Sequence, residues 1–119
     1  MDRLDMNKRT MKMALDVIKL TKLFPLNQES KVITYQIIKS STSTAANYRA
    51  AGRGKSLKDF IAKLGIAEEE CDETIFWLEM ILEANLASPE AIQPIKQETS
   101  EILAIIVSSI KTAKKNLDK

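Results

Sequence analysis

None of the 119 residues is histidine, and that absence removes more chemistry than any other feature of the chain. Imidazole is the commonest general base near neutral pH and the commonest protein ligand of transition metals, so catalytic schemes and zinc motifs that depend on it are excluded. Cysteine is almost as scarce. Cys71 stands alone, which rules out an intrachain disulfide, and its neighbours Glu68, Glu69, Glu70, Asp72 and Glu73 are anions. A nucleophilic thiol needs cations around it, so a buried, inert Cys71 on the inner face of a helix is expected. Three glycines and three prolines are too few for a turn-rich β sandwich and suit long helices. No apolar run approaches the roughly 20 residues that span a bilayer. The opening Met-Asp-Arg-Leu-Asp lacks the cationic start and apolar stretch of a secretory signal, so a cytoplasmic location is expected.

With 45% apolar and 29% charged residues, the chain can build one core, and residues 1–119 are read as a single all-α domain. Spacing and punctuation predict four helices. Met11, Ala14, Leu15, Ile18 and Thr21 trace one stripe and Met13, Val17, Leu20 and Phe24 a second, which gives a helix from about residue 5 to Phe24, stopped by Pro25. A second helix begins near Glu29 or Ser30 and runs to Ala51, with Gly52 and Gly54 ending it. Ser56 followed by Asp59 resembles a capping box for a long third helix with the register Phe60, Leu64, Ala67, Cys71, Ile75, Leu78 and Leu82, and Asn85 is its stop. Ser88-Pro89-Glu90 has the order of a helix start, but Pro94 is expected to break it, leaving a short turn before a fourth helix from about Ile95 to Leu117.

Two segments carry packing information. Ser40, Thr44, Asn47 and Ala51 share one narrow face with almost no bulk, which makes a weak helix unless a neighbour, from this fold or another subunit, packs against it. Ile102-Leu103-Ala104-Ile105-Ile106-Val107 covers the whole circumference of a helix. Either helix 4 is the central helix of a monomer, or the extra face is covered by another copy in a homo-oligomer, the reading preferred here. Tyr48, Phe76 and Trp77 are expected in the core or at a subunit contact.

Charge is segregated. Residues 39–63 hold Lys39, Arg49, Arg53, Lys55, Lys58 and Lys63 against Asp59 alone, whereas residues 64–95 hold eight carboxylates and no Lys or Arg. One explanation is solvation of outward faces. The functional one is a cationic knuckle of Arg49, Arg53, Lys55 and Lys58 around the Gly52-Arg53-Gly54 loop, suited to phosphate. Lysines of helix 1 and the end of helix 4 are candidates to extend that field, although the latter are better explained as complementing the helix dipole. A di-metal carboxylate site fails for want of Glu-x-x-His, so no metal or cofactor is expected. The acidic cluster is a solvated face or a contact for a basic partner.

Asn47-Tyr48-Arg49-Ala50-Ala51 with Arg53, then Ser56-x-x-Asp59-Phe60-Ile61-x-Lys63-Leu64-x-Ile66-Ala67-Glu68-Glu69, then Glu73-x-x-Phe76-Trp77-Leu78-Glu79 resemble the small bacterial proteins encoded in intervening sequences of 23S ribosomal RNA genes. The resemblance implies an antiparallel up-and-down four-helix bundle that assembles into a ring, commonly a pentamer. It extends to the accessory proteins of diversity-generating retroelements, basic barrels thought to bind nucleic acid and a reverse transcriptase, and it brings no catalytic residues. The modest net charge of +2 and the anionic helix 3 depart from that accessory type, so nucleic-acid contact here would be local to the knuckle.

Two functions follow from these observations: a non-enzymatic oligomer that contacts RNA or DNA without base specificity, or an assembly or adaptor module whose acidic helix engages a protein. No acid, base and nucleophile constellation supports an enzyme.

Overall fold

The computed structural model describes residues 2–118 and contains four helices: α1 (Arg3–Thr21), α2 (Gln28–Ala51), α3 (Leu57–Glu83) and α4 (Pro89–Leu117). No strand occurs among the described residues. The links at 22–27, 52–56 and 84–88 are too short to return the chain along a helix of 24 to 29 residues, so consecutive helices run antiparallel. Contact is most extensive between α2 and α3 and thinnest between α1 and α4, and the whole measures 52 × 22 × 21 Å.

Each helix opens on a side chain that meets an otherwise unbonded amide. Asp2, Asn27, Ser56 and Ser88 accept from the N–H groups of Asp5, Ser30, Asp59 and Ala91. At Ser56 the capping box is only half reciprocal, because the Asp59 carboxylate reaches the Lys55 N–H at 3.3 Å. α3 closes as expected at Asn85, whose φ of 57° lets the Leu86 N–H reach the Ile81 carbonyl and the Asn85 N–H reach the Leu82 carbonyl.

α4 corrects one boundary. It starts at Pro89 and continues through Pro94 without a break. Pro94 is only the sixth helical residue, and the carbonyl it leaves without an N–H partner belongs to Glu90, which is exposed and can be solvated. α1 likewise ends at Thr21, and Lys22 to Phe24 form a closing turn.

The core is built from Met6, Met13, Val17 and Leu20 of α1, Ile33 and Ile37 of α2, Leu64, Cys71, Leu78 and Ile81 of α3, and Ile102 and Ile106 of α4. In α3 the inward positions are Thr74 and Ile81, rather than the expected Ile75 and Leu82, which are half-buried. Polar Thr74 is tolerated because its hydroxyl lies 2.9 Å from both the Glu70 carbonyl oxygen and Ser40 Oγ. The small-residue face of α2 therefore packs against α3 of the same chain. Ser40, Ser41, Thr44 and Ala51 are buried, while half-buried Asn47 donates to Ser43 of its own helix.

The apolar sextet of α4 does not supply the uncovered surface expected of it. Ile102 and Ile106 are fully buried, Leu103 and Ile105 pack partly buried against the core, Val107 is half-buried, and Ala104 alone is exposed. A helix at the corner of a bundle meets two neighbours, α1 and α3, so positions flanking the central stripe are also covered. Exposed bulk lies elsewhere: Leu4 (71%), Met11 (51%) and Leu15 (50%) on α1, Val32 (55%) and Tyr35 (64%) on α2, Ile66 (44%), Phe76 (48%) and Met80 (38%) on α3, and Leu23 and Leu26 in the α1–α2 link. No helix among the described residues is long and apolar enough to cross a membrane.

Candidate nucleic-acid interface

Because the helices alternate in direction, the start of α1, the end of α2, the start of α3 and the end of α4 meet at one end of the bundle. There α2 terminates at Gly52 with the Gly52 N–H bonded to the Ala50 carbonyl, and the chain turns through residues 52–56 into α3. The turn and the adjoining helices enclose an open recess of about 570 Å³ lined by Ala46, Arg49, Ala50, Arg53, Lys55, Asp59 and Lys63. Three of the four expected cations, Arg49, Arg53 and Lys55, line it together. Lys58 is exposed beside it on the first turn of α3, outside the lining. Lys63 takes its place, one helical turn above Asp59.

Asp59 is the one anion in the recess, and its amide is already tied to the Ser56 hydroxyl at 3.0 Å. The open rim leaves Arg49, Arg53 and Lys55 exposed to water, with Lys63 half-buried behind them, an arrangement suited to an extended polyanion. Arginine forks add paired N–H donors that match phosphate oxygens.

Arg49 and Arg53 also border a second depression, a groove of about 680 Å³ between α1 and α2 floored by Ala14, Ala45 and Ala46 and flanked by Leu4, Met11, Leu15 and Lys8. Arg3 is a further cation at this end that no local pattern singled out. Its Nη1 donates to the Gly52 carbonyl at 2.9 Å across 49 residues of sequence. Lys114 and Lys115 occupy the last turn of α4, near the start of α3, where Leu57 and Phe60 face Ala113 and Asn116.

Other candidates lie apart from this end. Trp77 packs partly buried against the core, with Phe76 edge-on at 4.8 Å between ring centroids. Cys71 is fully buried, its S–H directed to the Thr99 carbonyl, and burial pushes its thiol up to about 12. A clamp missed in the sequence joins α1 to α4. Arg9 donates to both carboxylate oxygens of Glu98 and to Glu101, each at 2.7 Å. The bond to Glu98 raises the Arg9 pKa, and bonds from Gln97 and Arg9 hold Glu101 below the usual carboxylate range.

Fold and site together define an all-α four-helix bundle with a cationic recess at one end. The chain belongs to the 23S rRNA-intervening sequence protein family, whose model matches residues 2–108. It is similar to a crystal structure from Bacteroides thetaiotaomicron, a protein with unknown function from the S23 ribosomal protein family. The two share 33% identity with a TM-score of 0.82, over 89% of this chain and 98% of that one. No curated protein matches the chain.

Proposed function

We propose that this is a non-enzymatic, self-associating helical protein that holds RNA or DNA by its phosphate backbone, without base specificity, at the recess of Arg49, Arg53, Lys55 and Lys63 with Lys58 beside it. The observation that carries the reading is the convergence of these cations on one open recess, against a single carboxylate. Phosphate contacts give affinity and register but no sequence discrimination. Self-association would repeat a weak site along one polyanion and multiply its affinity. The family likeness favours a ring of five copies, expected as a species near five times the 13.4 kDa chain mass.

The test is binding to a mixed RNA pool by wild type and by a variant with Arg49, Arg53 and Lys55 all changed to alanine. Binding weakened by about tenfold or more supports the reading, since each lost cation removes a phosphate contact. Equal affinity overturns it. The rival, an adaptor whose acidic α3 grips a protein such as a reverse transcriptase, predicts that the same protein is captured after nuclease treatment and that the RNA pool is not bound.

A further inference from the structure

α1 and α3 each carry an outward stripe opposite the core. On α1 and its closing turn it reads Leu4, Lys8, Met11, Leu15, Ile18, Lys22, at the spacing 4, 3, 4, 3, 4; all are exposed except half-buried Ile18. On α3 it reads Ile66, Glu69, Glu73, Phe76, Met80, Glu83, at the spacing 3, 4, 3, 4, 3, and all six are exposed. Such spacings keep a stripe on one side of a helix and match the seam of paired helices. One stripe is apolar and cationic, the other apolar and anionic. They lie on helices that do not touch each other within the bundle, so they face away in different directions.

Their heights along the bundle are related through a shared neighbour. Arg9 of α1 bonds Glu98 and Glu101 of α4, and Cys71 of α3 bonds Thr99, which lies between them, so residues 9 and 71 lie in the same stretch of the bundle. α1 and α3 also run in the same direction. A second copy moved sideways at about the same height therefore brings the two stripes together along their length, with Leu4 toward Ile66, Lys8 toward Glu69, Leu15 toward Phe76, Ile18 toward Met80 and Lys22 toward Glu83. Met11 against Glu73 is the one unlike pair.

We propose that the α3 stripe of one copy docks on the α1 stripe, at the mouth of the α1–α2 groove, of the next. This rests on the self-association in the preceding section and specifies its surfaces. The contact is heterologous, joining two different faces, so copies form a ring or a continuing chain rather than an isologous dimer. It also carries the start of α3, with Lys58 and Lys63, toward Arg53 of the adjoining copy, joining the cationic recesses of successive copies.

Light-scattering mass tests the pairing on three variants: Lys8→Glu with Lys22→Glu, Glu69→Lys with Glu83→Lys, and all four changes in one chain. Each pair alone sets like charges face to face and should lower the mass toward 13.4 kDa. The fourfold variant restores opposite charges at every junction and should recover the wild-type mass. Circular dichroism melting of the same samples checks folding, and cross-linking of a Leu15→Cys, Phe76→Cys chain by a short bismaleimide provides a variant without charge change, expected to give a ladder of multiples. A wild-type assembly unmoved by either pair, a fourfold variant that stays dissociated, or the absence of a ladder overturns the pairing while leaving self-association intact. A wild-type chain still monomeric at about 100 μM, well above a Kd of about 1 μM, overturns both.

Discussion

A methyl group at Gly54 would sit 2.8 Å from Asp59 Oδ2 and 3.1 Å from the Ala51 carbonyl oxygen, whereas one at Gly52 would meet the Arg3 side chain at 2.5 Å. Neither glycine has a positive φ, so what a side chain would meet at each is a matter of close approach rather than of backbone conformation. Arg3 is flexible and can swing away; the Ala51 backbone cannot. Gly54→Ala should therefore cost about 1–2 kcal/mol through overpacking, and Gly52→Ala should fall within about 0.5 kcal/mol of wild type, both read from denaturant midpoints. Equal losses would contradict this account of the turn. At Cys71 the inert thiol expected from its anionic neighbours is buried in the core, and burial rather than local charge is the first cause of its raised pKa. A thiol reagent should label it only in denaturant; rapid labelling of the native protein would show that the α3–α4 seam opens.

At the scale of single helices, the caps of α3 and α4 were legible because each is a short-range device, whereas Asp2 and Asn27, which open α1 and α2, were not singled out. Ser56 and Asp59, Ser88 and Pro89, and Asn85 act within a few residues of their own positions. Thr74 was not legible, since a polar residue at an inward position makes sense only beside Ser40, on another helix. That pair gives a direct test. Thr74→Val should cost about 1 kcal/mol by leaving a buried hydroxyl short of a partner, and adding Ser40→Ala should cost less than the sum of the two single changes. Strict additivity would show that the hydroxyls do not interact. Pro94 misled for a related reason. Its break-or-continue outcome depends on whether the freed Glu90 carbonyl faces water, which no sequence spacing reports.

Over the molecule as a whole, the antiparallel path decides which charges meet. Arg49, Arg53 and Lys55 were visible as neighbours in sequence and the lysines at the end of α4 were read as extending their field, but Arg3 joins the same end only through the topology. The uncovered apolar surface was expected on α4 and lies mainly on the other three helices and the α1–α2 link, because local composition cannot say how many neighbours a helix has. Arg9 closes the thinnest seam, and its effect should depend on pH. The Glu101 pKa is held below its ordinary value in the fold, so its contribution is present above that value and is lost as pH falls through the depressed one. Arg9→Met should melt below wild type near pH 7, and the gap should shrink as pH drops below about 4. A gap constant across that range would assign the loss to packing alone.

The central claim is that phosphate charge, read at the cationic end, supplies the affinity. Its most direct test is the affinity of the wild-type protein for mixed-sequence single-stranded RNA between about 50 and 200 mM salt, where each phosphate contact contributes a slope of about −0.7 to log affinity against log salt. Contacts from three or more cations predict a slope of about −2 or steeper, a loss of roughly tenfold or more over that range. Affinity indifferent to salt would contradict the account.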